Sequence, residues 1–408
     1  MSLKTKIVFL FYLIANGFGF SVFVARGTIV SWYVLDKTNS TFLVGLMTSI
    51  PTMTLPLLSP LGGKLADSVS RKSIFLAARI AIFVIMIAMA LVINLDFFAL
   101  TLLVITSIIF GLTASIEGAS TQNLLIDILG IENIAKGNGY KELFNSGLNA
   151  LLPLIIGVLL TIISSSLVFW TLPVVGLLGV FFAYLLFANF KPEHDDKKIT
   201  QSFSEVSVKD ALLYAKNNEN IRILLLLGFG MMLFWSFPQP LLPLYSKEVL
   251  NIGGSGYAIL SGLYFAGSMI GSLFITLSII KIHKSKILIL SAFSYCIFML
   301  LLFTSSLPMI AGILILASGV SHSIWWISML VFLQTITKES YKGRIIGFYF
   351  ALLVSIALGS IIGGFISEYI GMIWTVSIAM AALALIHSLA FFSSKKFRKL
   401  NLLNKNSF

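Results

Sequence analysis

The stretch Gly63-Lys-Leu-Ala-Asp67-Ser-Val-Ser-Arg71-Lys72 lies between two long apolar runs, at about residues 42–65 and 74–94. Each run is long enough for one membrane helix, since about 20 apolar residues are needed to cross the hydrocarbon core of a bilayer. The charged residues between the runs cannot enter that core cheaply and belong at a membrane surface. We therefore predict two membrane helices joined by a short charged loop.

The composition of the whole chain agrees with this local pattern. Of its 408 residues, 58% are hydrophobic and only 11% are charged, and the mean hydropathy is +0.99. A soluble domain of this length needs more charge to cover its surface, so the chain is expected to be embedded in a lipid bilayer. Its one cysteine, Cys296, excludes an intrachain disulfide framework and a multi-cysteine metal site.

The apolar runs predict an all-α membrane protein with twelve transmembrane helices. We place them at about residues 7–35, 42–65, 74–94, 97–122, 138–162, 166–189, 221–246, 256–280, 286–305, 308–334, 344–368 and 371–394. The longest polar segment separates the sixth run from the seventh. The predicted organisation is therefore a first six-helix bundle at 1–189, a linker at 190–220 and a second six-helix bundle at 221–408, which ends in a short basic tail.

The basic residues predict the orientation of these helices. If both termini are cytoplasmic, all of the 28 Lys and Arg except Arg26, Lys37 and Lys247 fall in cytoplasmic loops, tails or helix ends, as the positive-inside rule requires. The net charge of +12 is then a topology signal, and we expect no nucleic-acid partner. The apolar run after Lys6 is too long for a cleaved signal peptide, so we expect it to remain as the first span.

Short sequence matches indicate that the two halves are duplicates. Lys136-Gly137 recurs as Lys342-Gly343, and Ile155-Ile156-Gly157 recurs as Ile361-Ile362-Gly363, both at an offset of 206 residues. Each Lys-Gly pair lies in a predicted cytoplasmic loop, one span before an Ile-Ile-Gly. Parallel repeats of this kind place a substrate site at their interface near the middle of the membrane.

The loop at residues 63–72 resembles the signature loop of the major facilitator superfamily, in the form G-x-L-A-D-x-x-x-R-K, and it follows the second span as it does in that family. The resemblance implies the major facilitator fold and a cytoplasmic latch made of Gly63, Asp67, Arg71 and Lys72. Asp67 and Arg71 are four residues apart and could pair with each other or with a helix terminus. The alternative is a charged turn that only anchors two helix ends.

Three further stretches resemble one branch of that superfamily, which holds macrolide efflux proteins and enterobactin-type siderophore exporters. They are Glu117-Gly-Ala-Ser-Thr-Gln-Asn-Leu-Leu-Ile-Asp127, residues 208–222 and Lys338-Glu-Ser-Tyr-Lys-Gly-Arg344. The resemblance implies a secondary transporter that exports a drug such as a macrolide, or a siderophore-like metallophore. In the fifth predicted span, Pro153 and Gly157 partly follow the superfamily's antiporter signature; the alternative is an ordinary kinked helix.

Ionisable residues inside predicted spans are candidates for function, because a charge in the membrane costs about 2.5 kcal/mol or more. The sequence offers Arg26 in the first span and Glu117 in the fourth. Their depths put them roughly 15–20 Å apart along the membrane normal, which argues against direct pairing. Glu117 is the preferred proton-coupling candidate; it could instead reach the cytoplasmic headgroups or cap the polar end of its helix. Arg26 could contact an anion or the substrate, or form a structural ion pair.

Aromatic and amide side chains are candidates for the lining of a substrate cavity, since such groups suit a bulky, partly apolar molecule. His322 is a second proton-coupling candidate, although a structural, hydrogen-bonded role is also open. The aromatic residues could equally pack against lipid or form an interfacial belt. The cavity candidates, besides Arg26, are Asn145, Asn149, Trp235, Gln239 and Trp326.

No sequence feature indicates an enzyme. There is no GK[ST] phosphate-binding loop and no metal-ligand spacing among the four histidines, so we expect no catalytic residue, metal or cofactor. The leading hypothesis is a monomeric, proton-coupled exporter of a small amphipathic molecule, located in the plasma or inner membrane. The alternatives are a proton-coupled nutrient uptake symporter, which predicts a highly polar central cavity, and a non-transporting assembly partner or sensor, which predicts loss of the latch residues.

Overall fold

A computed structural model describes residues 3–66, 70–93, 99–190, 207–276 and 284–394. The described segments are helical and contain no β-strand. They group into two compact units, one of Met1–Ile199 with Ile252–Gly262 and the other of Thr200–Asn251 with Leu263–Phe408. The start of the eighth predicted span thus belongs to the first unit.

The first unit contains seven helices before the linker, among which α1 packs against α2, α5 and α7, and α4 packs against α2 and α3. These helices are α1 (Leu3–Thr38), α2 (Thr41–Ala66), α3 (Arg71–Val92), α4 (Ala99–Leu129), α5 (Ile134–Leu159), α6 (Ser165–Val168) and α7 (Thr171–Asn189). A single 3₁₀ turn, Ile131–Asn133, precedes α5.

The second unit begins with a short amphipathic helix and continues with helices that pack mainly as α12 on α13 and α16, and α9 on α15 and α16. Its helices are α8 (Val208–Asn217), α9 (Glu219–Trp235), α10 (Leu242–Glu248), most of α11 (Gly253–Thr276), α12 (Lys284–Thr304), α13 (Pro308–Ile336), α14 (Glu339–Ala351), α15 (Val354–Ile370) and α16 (Met372–Ser393). The seventh predicted span is interrupted, because the 3₁₀ turn Gln239–Leu241 separates α9 from α10.

Eleven helical segments of the described chain are long and apolar enough to cross a membrane, with hydropathies from 1.5 to 2.7. The second predicted span appears as the shorter apolar piece Thr41–Thr54, which is the beginning of α2. The predicted all-helical membrane fold is therefore confirmed, and the twelve-span count agrees with the structure.

The outer faces of these helices carry large apolar side chains. Val174 is 62% exposed, Trp374 68% and Phe392 72%. In water such a surface would be unstable, whereas lipid tails solvate it at no cost. The exposed apolar belt places the helices in a bilayer.

Candidate functional site

The centre of the first unit holds an ion pair between α3 and α4. The guanidinium of Arg79 donates through Nη2 to Oε1 of Glu117, and the two residues are only 3% and 7% exposed. A charge buried this deeply is stable only with a partner, because each group has lost its hydration. The pair therefore lets both side chains keep their charge inside the unit.

Neighbouring side chains and one glycine hold the pair in place. The Arg79 guanidinium lies 4.9 Å from the centre of the Phe75 ring, a cation–π distance. Gly19 of α1 provides the space for the guanidinium, since a Cβ added there would overlap it. The Thr121 hydroxyl donates to the backbone oxygen of Glu117 at 2.9 Å, and Tyr12 donates to the backbone oxygen of Thr121 at 3.1 Å.

Counting Arg79 among the basic residues of cytoplasmic loops, tails and helix ends was wrong. The residue is two turns inside α3, which begins at Arg71, and it faces the interior of the unit. The available signal was its position within an apolar run that starts at about residue 74. Had Arg79 been placed inside the third predicted span, it would have been a candidate partner for Glu117.

Arg26 lies apart from this pair. Its Nη2 donates to Oγ of Ser107 on α4, its guanidinium lies 5.5 Å from the ring centre of Phe110, and it is 2% exposed. The described residues offer it no carboxylate. Arg26 and Glu117 are both buried in the first unit, but each contacts a different residue.

Three asparagines add polar groups to the interior of the first unit. Asn145 and Asn149 of α5 are 6% and 5% exposed, and Asn16 of α1 is 7% exposed. The side-chain oxygen of each has no hydrogen-bond partner among the described residues. Buried amide oxygens without partners are uncommon in folded proteins, so these are candidate contacts for water or a ligand. Asn16 was missed in the sequence because it lies early in a long apolar run.

The second unit brings the aromatic candidates and His322 together. The His322 ring stacks on Trp235 with centroids 4.6 Å apart and an interplanar angle of 11°, and Trp326 lies 6.0 Å from it. Tyr264 accepts a hydrogen bond from Nε1 of Trp235 at 2.9 Å, and Tyr295 donates to the backbone oxygen of Trp235 at 3.4 Å. We call Trp235, Tyr264, Tyr295, His322 and Trp326 the aromatic cluster.

Within the described part of the chain, Gln239 makes no hydrogen bond to the aromatic cluster. It begins the 3₁₀ turn after α9, where its backbone N–H donates to the Ser236 oxygen at 3.2 Å.

Elsewhere in the second unit, Nε1 of Trp325 donates to Nε2 of His387 at 3.1 Å, and Nδ1 of His387 lies 2.9 Å from the Leu383 oxygen. These contacts suit a neutral imidazole with its proton on Nδ1.

Two of the four latch candidates make contacts in the first unit. Arg71 pairs with Asp127 at the end of α4, with Nη1 and Oδ1 separated by 2.7 Å. The ammonium of Lys72 donates to the Phe190 oxygen at 3.0 Å. Gly63 belongs to α2, and Asp67 lies outside the described residues. Arg71 and Lys72 thus join the start of α3 to the ends of α4 and α7.

The helix with the partial antiporter signature, α5, packs closely against the start of α11 within the first unit. A Cβ added at Gly157 would lie 3.0 Å from the Ser255 oxygen, and one added at Gly262 would lie 3.0 Å from the Ala150 oxygen. Pro153 lies inside α5. Small residues here permit close contact of the two backbones.

A search for metal ligands finds no group of three His, Cys, Asp or Glu within the described part of the chain.

The family profile of the Major Facilitator Superfamily matches residues 9–353 and 224–406. The chain belongs to this superfamily, whose fold is that of membrane transporters. No curated protein matches the sequence.

Several solved structures are similar along almost their whole length. A peptide transporter, POT, aligns with a TM-score of 0.76 at 11% identity, covering 98% of this chain and 100% of its own. A D-xylose–proton symporter aligns with 0.75 at 14% identity, covering 96% and 98%. A bacterial homologue of the human lysosomal transporter Spinster aligns with 0.74 at 12% identity, covering 99% of both chains. At these identities the similarity establishes the fold alone. Transport across a membrane is the activity that membership of the Major Facilitator Superfamily supports.

Proposed function

We propose that this chain is a proton-coupled exporter of a small amphipathic molecule, and that it works by alternating access. The observation that carries the proposal is the buried pair of Arg79 and Glu117. The pair supplies a carboxylate whose protonation state can be tied to the conformation of the transporter. We further propose the plasma or inner membrane as its location, with both termini in the cytoplasm.

The coupling follows from the electrostatics of the pair. When Glu117 is ionised, the two charges neutralise each other inside the unit. When Glu117 takes up a proton, Arg79 keeps its charge without a counter-ion, and that state is costly unless water or an anion reaches the guanidinium. Protonation therefore favours a conformation that opens the pair to solvent, which is the differential stabilisation that a population shift requires.

The substrate class is supported by the composition of the two interiors. The aromatic cluster suits an apolar ring system or a hydrocarbon body, and the unpartnered amide oxygens of Asn16, Asn145 and Asn149 suit hydroxyl or amine donors. The branch resemblance adds macrolide-like drugs and siderophore-like metallophores as candidates. Uptake of a small polar nutrient would favour a more highly charged interior, so we place the symporter second.

The latch residues support an active transporter rather than a non-transporting assembly partner or sensor. The pair of Arg71 and Asp127 is present, and the loop signature is retained. We propose that Gly63, Asp67, Arg71 and Lys72 stabilise the state closed to the cytoplasm. An assembly partner without transport would have no need of these contacts.

Flux measurements in proteoliposomes test the proposal. Accumulation of a radiolabelled macrolide or an enterobactin-type chelator is measured with the lumen acidic and again with the lumen alkaline. Antiport predicts accumulation only in the acidic lumen, and a symporter predicts the reverse. Glu117→Gln should abolish gradient-driven accumulation while substrate–substrate exchange continues.

Matched variants separate coupling from general damage. Glu132→Gln changes an exposed carboxylate of the same unit and should transport as wild type. His322→Phe keeps a stacked ring but removes the imidazole, so retained coupling would assign His322 to packing. Gradient-driven accumulation in Glu117→Gln at the wild-type level would refute the role of Glu117.

A further inference from the structure

Arg26 is a buried cation for which the described protein supplies no counter-ion. It belongs to α1, is 2% exposed, and contacts the Ser107 hydroxyl and the Phe110 ring of α4. A guanidinium keeps its charge at any physiological pH. The positive charge of Arg26 is therefore present, and a negatively charged group has to balance it.

The hydrogen bonds of Arg26 are incomplete. Its Nε is buried and has no acceptor among the described residues, although a guanidinium has five N–H donors arranged in a fork. One neutral hydroxyl and one aromatic face offset only part of the lost hydration. The geometry that fully satisfies such a fork is a bidentate oxyanion or a small halide ion.

Glu117 cannot serve as the missing counter-ion. Ser107 and Glu117 are both on α4, ten residues apart, which corresponds to about 15 Å along the helix. The Glu117 carboxylate is also already engaged by Arg79. Among the described residues, the buried charges of the first unit are Arg26, Arg79 and Glu117, so one positive charge is in excess.

We propose that Arg26, with Ser107 and Phe110, forms an anion-binding site between α1 and α4. Its ligand is a carboxylate, sulfonate or phosphate group of the transported molecule, or a resident inorganic anion such as chloride. In the first case the substrate of the proposed exporter is an amphipathic anion, and this part of the inference rests on the proposed function.

Equilibrium binding to the purified full-length protein in nanodiscs of neutral lipid tests the site without any ion gradient. The probes are chloride and two ligands that share one ring system, naphthalene-2-sulfonate and the uncharged naphthalene-2-methanol. Empty nanodiscs correct for partitioning into lipid. Binding is followed by calorimetry, and chloride is tested as a competitor of the sulfonate.

Three variants make the test specific. Arg26→Gln should weaken anion binding about tenfold or more, since it removes a charge-assisted contact, while Arg26→Lys should retain part of it. Arg222→Gln removes an exposed arginine and should bind as wild type. Size-exclusion profiles and the retained binding of Arg26→Lys show that the fold has survived.

The outcomes separate the two sources of the anion. Tighter binding of the sulfonate than of the alcohol, lost in Arg26→Gln, identifies a group of the substrate. Binding of chloride alone, lost in Arg26→Gln, identifies a resident ion. Equal anion binding by wild type and Arg26→Gln would overturn the site. Because no gradient is used, this result is independent of whether proton-driven export is found.

Discussion

The interiors of the two units differ in kind. In the described part of the first unit, the buried polar groups include Arg26, Arg79 and Glu117, whereas the described part of the second unit buries no Asp, Glu, Lys or Arg. Its polar interior consists of hydroxyl groups, His387 and the aromatic cluster. The described helices therefore enclose a charged interior in the first unit and a neutral one in the second.

We propose, on the basis of the function proposed above, that the two units have different roles. A charged interior responds strongly to the gain or loss of one proton, because electrostatic energies are large where water is scarce. A neutral aromatic interior responds weakly and offers contact area instead. We interpret the first unit as the one that couples transport to protons and the second as the one that contacts the apolar part of the substrate.

The largest loss of stability is expected when a buried side-chain pair is broken, and we compare one such pair from each unit. Glu117→Ala leaves Arg79 charged and unpaired, which should lower the free energy of unfolding by about 3–5 kcal/mol. His387→Phe leaves only the neutral N–H of Trp325 without an acceptor, at about 1–3 kcal/mol. Unfolding of each variant by SDS in mixed micelles measures both values.

A double replacement sharpens the same comparison. Arg79→Met combined with Glu117→Leu removes both charges and should recover much of the stability lost in Glu117→Ala, because apolar replacement of a whole buried pair is often neutral. If Glu117→Ala cost no more than His387→Phe, the contrast between the two interiors would have no energetic basis.

The next effect concerns the space that α1 leaves for Arg79. Gly19→Ala places a methyl group where the guanidinium lies and should destabilise the protein by about 1–3 kcal/mol. Gly27→Ala, on the same helix, meets nothing within 4 Å and should be neutral or stabilising by up to about 1 kcal/mol. The unfolding free energies of the two variants check this.

The loss of stability caused by Gly19→Ala should also depend on the presence of the Arg79 guanidinium. The destabilisation caused by Gly19→Ala should be smaller in a protein that also carries Arg79→Met and Glu117→Leu. Effects of mutations at residues in contact are not additive. An unchanged cost there would mean that Gly19 serves helix packing rather than the ion pair.

The smallest effect is expected for ion pairs near helix ends, of which we compare one from each unit. Arg71 and Asp127 have side chains 14% and 12% exposed, against 33% and 88% for Lys342 and Glu339. Double-mutant cycles with neutral replacements should give a coupling of about 1 kcal/mol for the first pair and about 0.3 kcal/mol for the second. Equal couplings would remove the expected difference between the two ion pairs.

The fold was largely predictable from the sequence. Long apolar runs separated by short charged loops have few physical solutions, because every backbone polar group in lipid must be bonded within a helix. The break after Trp235 was also predictable, since Pro238 and Pro240 cannot continue a regular helix. These features depend on residues close in sequence.

The pairing of side chains was less predictable because it depends on contacts between distant helices. Glu117 was singled out, but its partner Arg79 is 38 residues away and was assigned to a helix end. Arg71 was considered able to pair with Asp67, which lies outside the described residues, or with a helix terminus. The structure pairs it with Asp127 near the end of α4, 56 residues away. Helix rotation and depth decide such pairs, and hydropathy alone specifies neither.

The lone thiol of the chain has a practical consequence. Cys296 is the only cysteine of the sequence, and it is buried in α12 at 4% exposure. A water-soluble maleimide should therefore react with it only slowly. A cysteine introduced at the exposed positions Asn217 or Asn251 would then dominate the labelling without any prior removal of native thiols. The natural protein is thus already a near-silent background for mapping which side of the membrane each loop occupies.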